Sequence, residues 1–129
     1  EPYYRDFPCV LKPLGLSASR GVIRASNPAE FIAAFARIRK LLAEPDIARQ
    51  LDEADRFIQV EAFIPGREFS IEGILTNGDL RLLAVFDKPD PLDGPFFEET
   101  IYVTPSREDA ATQAAIVEAV RRGCAALGL

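Results

Sequence analysis

The stretch Glu68–Lys88, EFSIEGILTNGDLRLLAVFDK, indicates which kind of sheet this chain forms. Apolar and polar residues alternate ahead of Asn77-Gly78, and a largely apolar run follows it. Asn-Gly tolerates positive φ at both central positions of a two-residue hairpin turn. The sequence therefore predicts a turn at Thr76–Asp79 between two antiparallel strands, Glu68–Leu75 and Leu80–Lys88.

The rest of the chain alternates predicted strands and helices. Further strands are predicted at Pro8–Pro13, Gly21–Ala25, Phe57–Phe63 and Glu99–Thr104. Helices are predicted after the cap residue Asn27, from Asp46 to Ala54, and after Ser106-x-x-Asp109, which resembles a capping box. The order ββα(α)βββ(β)α, with hairpin-linked neighbours, predicts an α+β fold of antiparallel sheets with packed helices.

Composition excludes several classes of protein. The chain has 129 residues, 15 basic and 20 acidic, a net charge of −5, and 48% hydrophobic residues. This is enough for one domain or part of a larger one, and it excludes a disordered chain. The acidic balance argues against a nucleic-acid partner, and no apolar run approaches the roughly 20 residues of a membrane span. The absence of His excludes a Ser-His-Asp triad, a Cys-His pair and His-ligated zinc within this chain.

The two cysteines and the chain ends give three further expectations. Cys9 and Cys124 are too few for a disulfide framework and are predicted to be buried small residues. The chain contains no Met, and its start lacks the charged and apolar regions of a signal peptide. We therefore expect a piece of a longer cytoplasmic protein, with removal of the initiator Met and a natural end at Leu129 as the alternative.

Two lysines lie at positions where their ammonium groups have apolar neighbours in the sequence. Lys12 and Lys88 each end an apolar strand and are followed by proline. An ammonium beside apolar neighbours needs an anionic partner or a route to solvent. The pair therefore hints at a phosphate or carboxylate ligand, with strand-end lysines that reach water as the alternative.

A loop and a set of acidic residues could complete such a site. The small residues of Leu14–Gly21 would let backbone N–H groups approach phosphate oxygens, although the loop is neither a Walker A motif nor Gly-x-Gly-x-x-Gly. A flexible hairpin loop is the alternative. Glu61, Glu68 and Glu72 flank Phe63–Gly66 and could accept from ribose hydroxyls or an exocyclic amine. Ordinary water-facing carboxylates are the alternative for these three residues.

Together these stretches resemble the ATP-grasp superfamily, in particular its carboxylate–amine ligases. Phe7–Pro13 with Ser17–Val22 resembles the family's lysine strand and mobile phosphate loop, and Val60–Gly73, about 40 residues later, resembles its adenine hinge and following strand. The resemblance implies a first lobe at about 8–62, with the lysine strand, phosphate loop and helices. It implies the hinge and part of a second lobe at 63–129.

The resemblance also implies roles for particular residues. Lys12 would contact the ATP phosphates, Glu68 would bind the ribose hydroxyls, and Lys88 would approach the phosphates or the acyl group as a candidate catalytic residue. The loop that folds over the phosphates would comprise Ser17, Ser19, Arg20 and Gly21. The adenine would be lined, largely through backbone groups, by Glu61, Ala62, Phe63 and Ile64.

The implied parent enzyme uses ATP to activate a carboxylate as an acyl phosphate, which an amine or similar nucleophile attacks. Its partners would be ATP, a small-molecule carboxylate and the rest of the parent chain, with neither nucleic acid nor membrane. Mg²⁺ is expected in that enzyme, with ligands beyond Leu129 and none in this chain; Glu98 and Glu99 are candidates for a substrate-side or structural role. We expect these residues alone to be inactive. A non-catalytic nucleotide-binding module and an α+β interaction domain are the alternatives, and the substrates and oligomeric state stay open.

Overall fold

The computed structural model describes residues 6–49, 52–97 and 101–129. Antiparallel sheets and helices confirm the predicted α+β class. The elements in chain order are β1 (Cys9–Pro13), β2 (Ile23–Ala25), α1 (Pro28–Leu42), α2 (Pro45–Ala48), a 3₁₀ turn (Ala54–Arg56), β3 (Ile58–Ala62), β4 (Phe69–Thr76), β5 (Asp79–Asp87) and α3 (Ala110–Ala126).

The described chain divides into two units. The first comprises residues 6–66 together with 92–97, and the second comprises residues 67–91 together with 101–129. Residues 92–97, which we call the return segment, therefore belong to the first unit although they follow β5 in the chain. The assignment of 8–62 and 63–129 to the two lobes of a ligase stays a prediction.

A three-stranded antiparallel sheet, in the order β2-β1-β3, forms the first unit's centre. Strands β1 and β2 pair antiparallel, with Val10 opposite Arg24. Because side chains alternate along a strand, the sheet has two chemically different faces. One face packs against α1 through a core that includes Leu11, Ile23 and Ile38. The other face carries the polar residues of β1 and β3 and thereby positions the candidate site.

Helix α1 begins where the cap signal predicts. The Asn27 Oδ1 accepts from the Glu30 N–H at 3.0 Å, and the Glu30 carboxylate accepts from the Ser26 N–H at 2.8 Å. The first bond satisfies an N–H group that the first helical turn leaves unpaired, and the second ties the residue before the cap to the helix. Ala34 and Ile38, one turn apart on α1, pack into the core, whereas Phe35 is exposed.

The predicted helix Asp46–Ala54 is wrong in extent. Helix α2 ends at Ala48, and a separate 3₁₀ turn covers Ala54–Arg56, while residues 50 and 51 lie outside the described chain. The carboxylate of Asp55, which is buried, accepts from the Asp52 N–H at 2.9 Å. Such local side chain to backbone bonds compete with helical pairing.

The second unit contains the β4–β5 hairpin, and its turn is confirmed. Asn77 has φ 51° and Gly78 has φ 84°, so both central residues adopt the left-handed conformation that the Asn-Gly pair favours. The pairing shifts between Glu72 and Gly73, because Leu83 is an extra residue on β5. The continuous apolar run of β5 conceals this bulge in the sequence.

Two predictions near the start of α3 are wrong. Of the predicted strand Glu99–Thr104, the described residues 101–104 form a single bridge, between Val103 and Asp87. The cap of α3 is Asp109, whose carboxylate accepts from the Thr112 N–H at 2.7 Å. Ser106 does not cap the helix, because its hydroxyl donates to the Asp87 carboxylate instead.

Asp87 joins the end of β5 to the segment before α3. Its carboxylate accepts from the Arg107 N–H at 2.9 Å and from the Ser106 hydroxyl. The backbone hydrogen bond from Arg107, followed by the bond from Ser106, lowers the pKa of Asp87 below its usual value. The ionised form of Asp87 is therefore the one that the fold favours.

We expect Asp87→Asn to change how stability depends on pH. The pKa of Asp87 is lower in the folded chain than in the unfolded chain, whose carboxyl titrates near about 4. In the wild type, ionised Asp87 should stabilise the fold above about pH 4. This stabilisation should be lost as the pH falls through the pKa of Asp87 in the folded chain. Urea unfolding followed by circular dichroism between pH 2 and 7 should therefore give a flatter profile for Asp87→Asn. The control Asp79→Asn, at the other end of β5, should follow the wild type, and parallel profiles for Asp87→Asn and wild type would contradict the prediction.

The two cysteines differ in burial. Cys9 is fully buried, as predicted, and burial raises the pKa of its thiol. Cys124 is half-buried. Among the helices of the described residues, none has the length and apolar character that crossing a membrane requires.

Candidate nucleotide-binding site

The polar face of the first sheet brings Lys12 and Glu61 together. The Lys12 Nζ lies 2.9 Å from the Glu61 Oε1, and the Gln59 amide donates to the other carboxylate oxygen at 3.2 Å. In the strand register Lys12 is opposite Gln59, so the lysine reaches Glu61 diagonally across β1 and β3. Strand geometry thus joins the predicted phosphate ligand and a predicted adenine-lining residue, which lie 49 residues apart.

The solvent exposure of this ion pair determines how strongly Lys12 and Glu61 hold each other. The side chains of Lys12 and Glu61 are 35% and 42% exposed. Ion pairs with this much solvent contact contribute about 0–1 kcal/mol. Lys12 can therefore exchange Glu61 for a phosphate oxygen at small cost. This arrangement suits a site that binds and releases an anion.

The loop after β1 makes two successive tight turns. The Arg20 N–H donates to the Ser17 carbonyl at 3.3 Å, and the Val22 N–H donates to the Ser19 carbonyl at 3.1 Å. Ser19 itself has φ 55°, and Gly21 has φ 79°. A Cβ on Gly21 would also lie 3.1–3.2 Å from atoms of Leu41 and Pro13, so glycine meets both a backbone and a packing requirement there.

The loop residues differ in how far they reach solvent. Ser17 and Arg20 are exposed, whereas Ser19 and Gly21 are half-buried. The hydroxyl of Ser17 and the guanidinium of Arg20 are therefore accessible to an anion, and Gly21 acts through the shape of the backbone.

The predicted adenine segment leaves the sheet at Phe63. Ala62 ends β3 opposite Cys9, and the Phe63 N–H donates to the Pro8 carbonyl at 3.1 Å. Ala62 is exposed, and Ile64 is 87% exposed. The half-buried Phe63 therefore lies between two neighbours that solvent reaches.

The second unit pairs Glu68 with Lys88. The Lys88 Nζ lies 2.5 Å from the Glu68 Oε1 and 5.1 Å from the ring centroid of Tyr102. The Lys88 side chain is 8% exposed, whereas that of Glu68 is 49% exposed. A buried ammonium needs such a carboxylate and aromatic face, so Lys88 is not a strand-end lysine that simply reaches water. Glu72, the third acidic residue singled out in the sequence, is exposed on β4.

Sequence reasoning missed three residues that contact predicted site residues. Gln59 contacts Glu61, Arg24 lies over Phe63, and Tyr102 lies beside Lys88. Gln59 stands two residues before Glu61, the spacing that puts both on one face of a strand. Arg24 is the one charged residue of the predicted strand Gly21–Ala25, which is a usable signal. Tyr102 has no comparable local signal.

The described residues lack the side-chain ligand sets that hold metal ions in proteins. The part of the chain that the structure describes contains no group of three or more acidic, cysteine or histidine residues able to hold a metal ion. Glu98 and Glu99 lie outside the described residues. The described side chains thus do not form a Mg²⁺ site by themselves.

Known proteins similar to this chain include ligases. The ATP-grasp domain family matches residues 5–129. The alanine–anticapsin ligases of Bacillus amyloliquefaciens and Bacillus subtilis are each 30% identical over 134 residues, covering 95% of this chain and 28% of each relative. The crystal structure of L-amino acid ligase from Bacillus licheniformis superimposes with a TM-score of 0.77 at 30% identity, covering 100% of this chain and 29% of that one. The chain therefore spans less than a third of the length of these relatives, and it belongs to the ATP-grasp domain family.

Proposed function

We propose that this chain supplies the ATP-binding part of a ligase that joins the carboxylate of an amino acid to an amine. The observation that carries the proposal is the 2.9 Å contact of Lys12 with Glu61 on an accessible polar sheet face. Membership of the ATP-grasp family, which implies the use of ATP and Mg²⁺, supports the nucleotide. The printed names of the relatives, alanine–anticapsin ligase and L-amino acid ligase, support the substrate class.

The first unit would hold most of the nucleotide. Lys12 would leave Glu61 and bind phosphate oxygens, because a doubly charged phosphate attracts an ammonium more strongly than a half-exposed carboxylate does. The adenine would lie against the backbone of Ala62 and Ile64, two residues that solvent reaches. The residues that would close over the phosphates are Ser17, Ser19, Arg20 and Gly21.

Glu68 and Lys88 would each have a separate role in binding the nucleotide. Glu68 would accept from the ribose hydroxyls, since half of its side chain is accessible. Lys88, held by Glu68 and Tyr102, would place a positive charge near the phosphates or the acyl group. Its burial keeps the ammonium poorly hydrated, so its interaction with an anion would be stronger than in water.

The proposed reaction has two steps. In the first, the γ-phosphoryl group passes to a carboxylate oxygen, the bond to the bridging oxygen breaks, ADP leaves and an acyl phosphate forms. In the second, the amine nitrogen attacks the carbonyl carbon, the bond to the phosphate oxygen breaks, inorganic phosphate leaves and the nitrogen loses a proton to solvent. Mg²⁺, when bound, would neutralise phosphate charge. The residues of this chain would contribute positioning, charge stabilisation and exclusion of water.

Titration of the full protein with ATP and a non-hydrolysable analogue tests the proposal. We expect saturable binding, with amide shifts clustered at Lys12, at 17–21 and at 61–68. We also expect ADP release that requires an amino acid. Saturable binding without ADP release across all twenty amino acids would favour a non-catalytic nucleotide-binding module. No binding at millimolar ATP would contradict the assignment of the site.

A further inference from the structure

Arg24 contacts two segments that are distant from it in the chain. Its guanidinium lies 4.2 Å from the ring centroid of Phe63. Its Nη1 donates to the carbonyl of Asp93, and its backbone N–H donates to the carbonyl of Pro95 at 2.9 Å. One side chain of β2 thus joins the return segment to the first residue after β3.

Gly94 makes room for this arrangement. It has φ 87°, and a Cβ there would lie 2.8 Å from the Cβ of Arg24. Approaches this close do not occur between real side chains, so any larger residue at 94 must displace Arg24 or the return segment. The backbone of the segment is therefore shaped around Arg24.

Stability alone does not select arginine at this position. The Nε of Arg24 is buried, and among the described residues it has no hydrogen-bond partner. Burying an unpaired N–H costs free energy, and an unbranched apolar side chain of similar length would avoid that cost. What arginine adds is a flat, charged group that stacks on an aromatic ring while its end donates to a carbonyl.

We propose that Arg24 is a positioning residue for the adenine-binding segment. This inference rests on the proposed function. Phe63 is held from two directions, by its N–H on Pro8 and by the guanidinium over its ring. Ala62 and Ile64 flank Phe63 directly, so fixing Phe63 restricts the backbone groups proposed to contact adenine. A segment that is ordered beforehand loses less conformational entropy when the ligand binds.

Arg24→Met tests the proposal by keeping the apolar stem and removing the stacking and donor group. Calorimetric titration of the full protein should show ATP binding about tenfold weaker, with the melting temperature within a few degrees of wild type. In steady-state assays the KM for ATP should rise and the KM for the amino acid should not. The ATP affinity of Arg24→Lys, which keeps the charge but not the planar group, should lie between that of the wild type and that of Arg24→Met. Gly94→Ala should weaken ATP binding in the same direction as Arg24→Met.

Arg37→Met is the matched control. Arg37 also stacks on a phenylalanine of the return segment, with its guanidinium carbon 4.9 Å from the ring centroid of Phe96. The substitution Arg37→Met removes the same charge and the same kind of contact as Arg24→Met, and it leaves Phe63 unchanged. We expect its ATP affinity to stay within about twofold of wild type, a change of less than about half a kcal/mol.

Three outcomes are distinguishable. Weaker ATP binding in Arg24→Met but not in Arg37→Met would support the inference. Equal effects of the two variants, or unchanged affinity in both Arg24→Met and Arg24→Lys while the wild type binds ATP, would overturn it and leave the proposed function intact. If the wild-type protein itself binds no ATP, the proposed function fails, and this inference fails with it.

Discussion

Lys12→Met should lower kcat/KM for ATP by at least about 100-fold in the full protein. Removing one preorganised group that stabilises transition-state charge typically costs a factor of about 100 to 1,000. Lys12 is proposed to be such a group, because its ammonium stands on an accessible sheet face and its pairing with Glu61 is easily exchanged. A coupled assay of ADP release, with the amino acid saturating, measures the effect. Methionine keeps the length and apolar stem of lysine, so the packing of β1 should change little.

Two further variants make this prediction specific. Lys40→Met removes an exposed ammonium from α1 and should leave kcat/KM for ATP within about twofold, since removal of a solvated charge changes little. Glu61→Gln keeps the backbone groups proposed to face adenine and should change kcat/KM less than Lys12→Met does. Activity that survives in Lys12→Met, or falls equally in Lys40→Met, would exclude the proposed role of Lys12.

Leu11→Ala should destabilise the first unit by about 2–5 kcal/mol. Leu11 is 0% exposed in the central strand β1 and belongs to the core that includes Cys9, Ile23 and Ile38. Truncation to alanine removes buried surface and leaves a cavity that strands paired on both sides cannot easily close. Urea unfolding followed by circular dichroism gives the free energy of unfolding from the transition midpoint and slope.

Leu14→Ala is the control for this core substitution. Leu14 follows β1 directly and is 47% exposed, so the same truncation removes about half as much buried surface. We expect a loss below about 1.5 kcal/mol, because the chain around an exposed side chain leaves no closed cavity. Losses of similar size in the two variants would mean that the face of β1 that Leu11 occupies is not the core.

Features that depend on neighbouring residues were predictable from the sequence. The turn at Asn77-Gly78 follows from the backbone preference of two residues, and the start of α1 follows from the cap at Asn27. The capping box predicted at Ser106 was wrong because it depends on more than neighbouring residues. A partner distant in the chain, Asp87, takes the Ser106 hydroxyl, and no spacing within the motif reveals that competition.

The same difference between neighbouring and distant partners applies to the candidate site. The resemblance pointed to Lys12 and Glu61, and the structure adds that their side chains touch across 49 residues of chain. Arg24 escaped prediction because its partner Asp93 is 69 residues away and contributes a backbone carbonyl, which any residue type offers. The burial of Lys88 likewise depends on Tyr102, which belongs to a separate stretch of the chain.

The return segment has a consequence for self-association. Strand β2 lies at the edge of the first sheet, where unpaired backbone groups can recruit a strand from another molecule. The carbonyl of Pro95 accepts from the Arg24 N–H, and Ile23 forms a bridge with Phe96, so the segment occupies that edge. Proline has no N–H with which to continue a ladder. The segment therefore covers the β2 edge of the sheet with residues that the chain supplies only after it has completed β5.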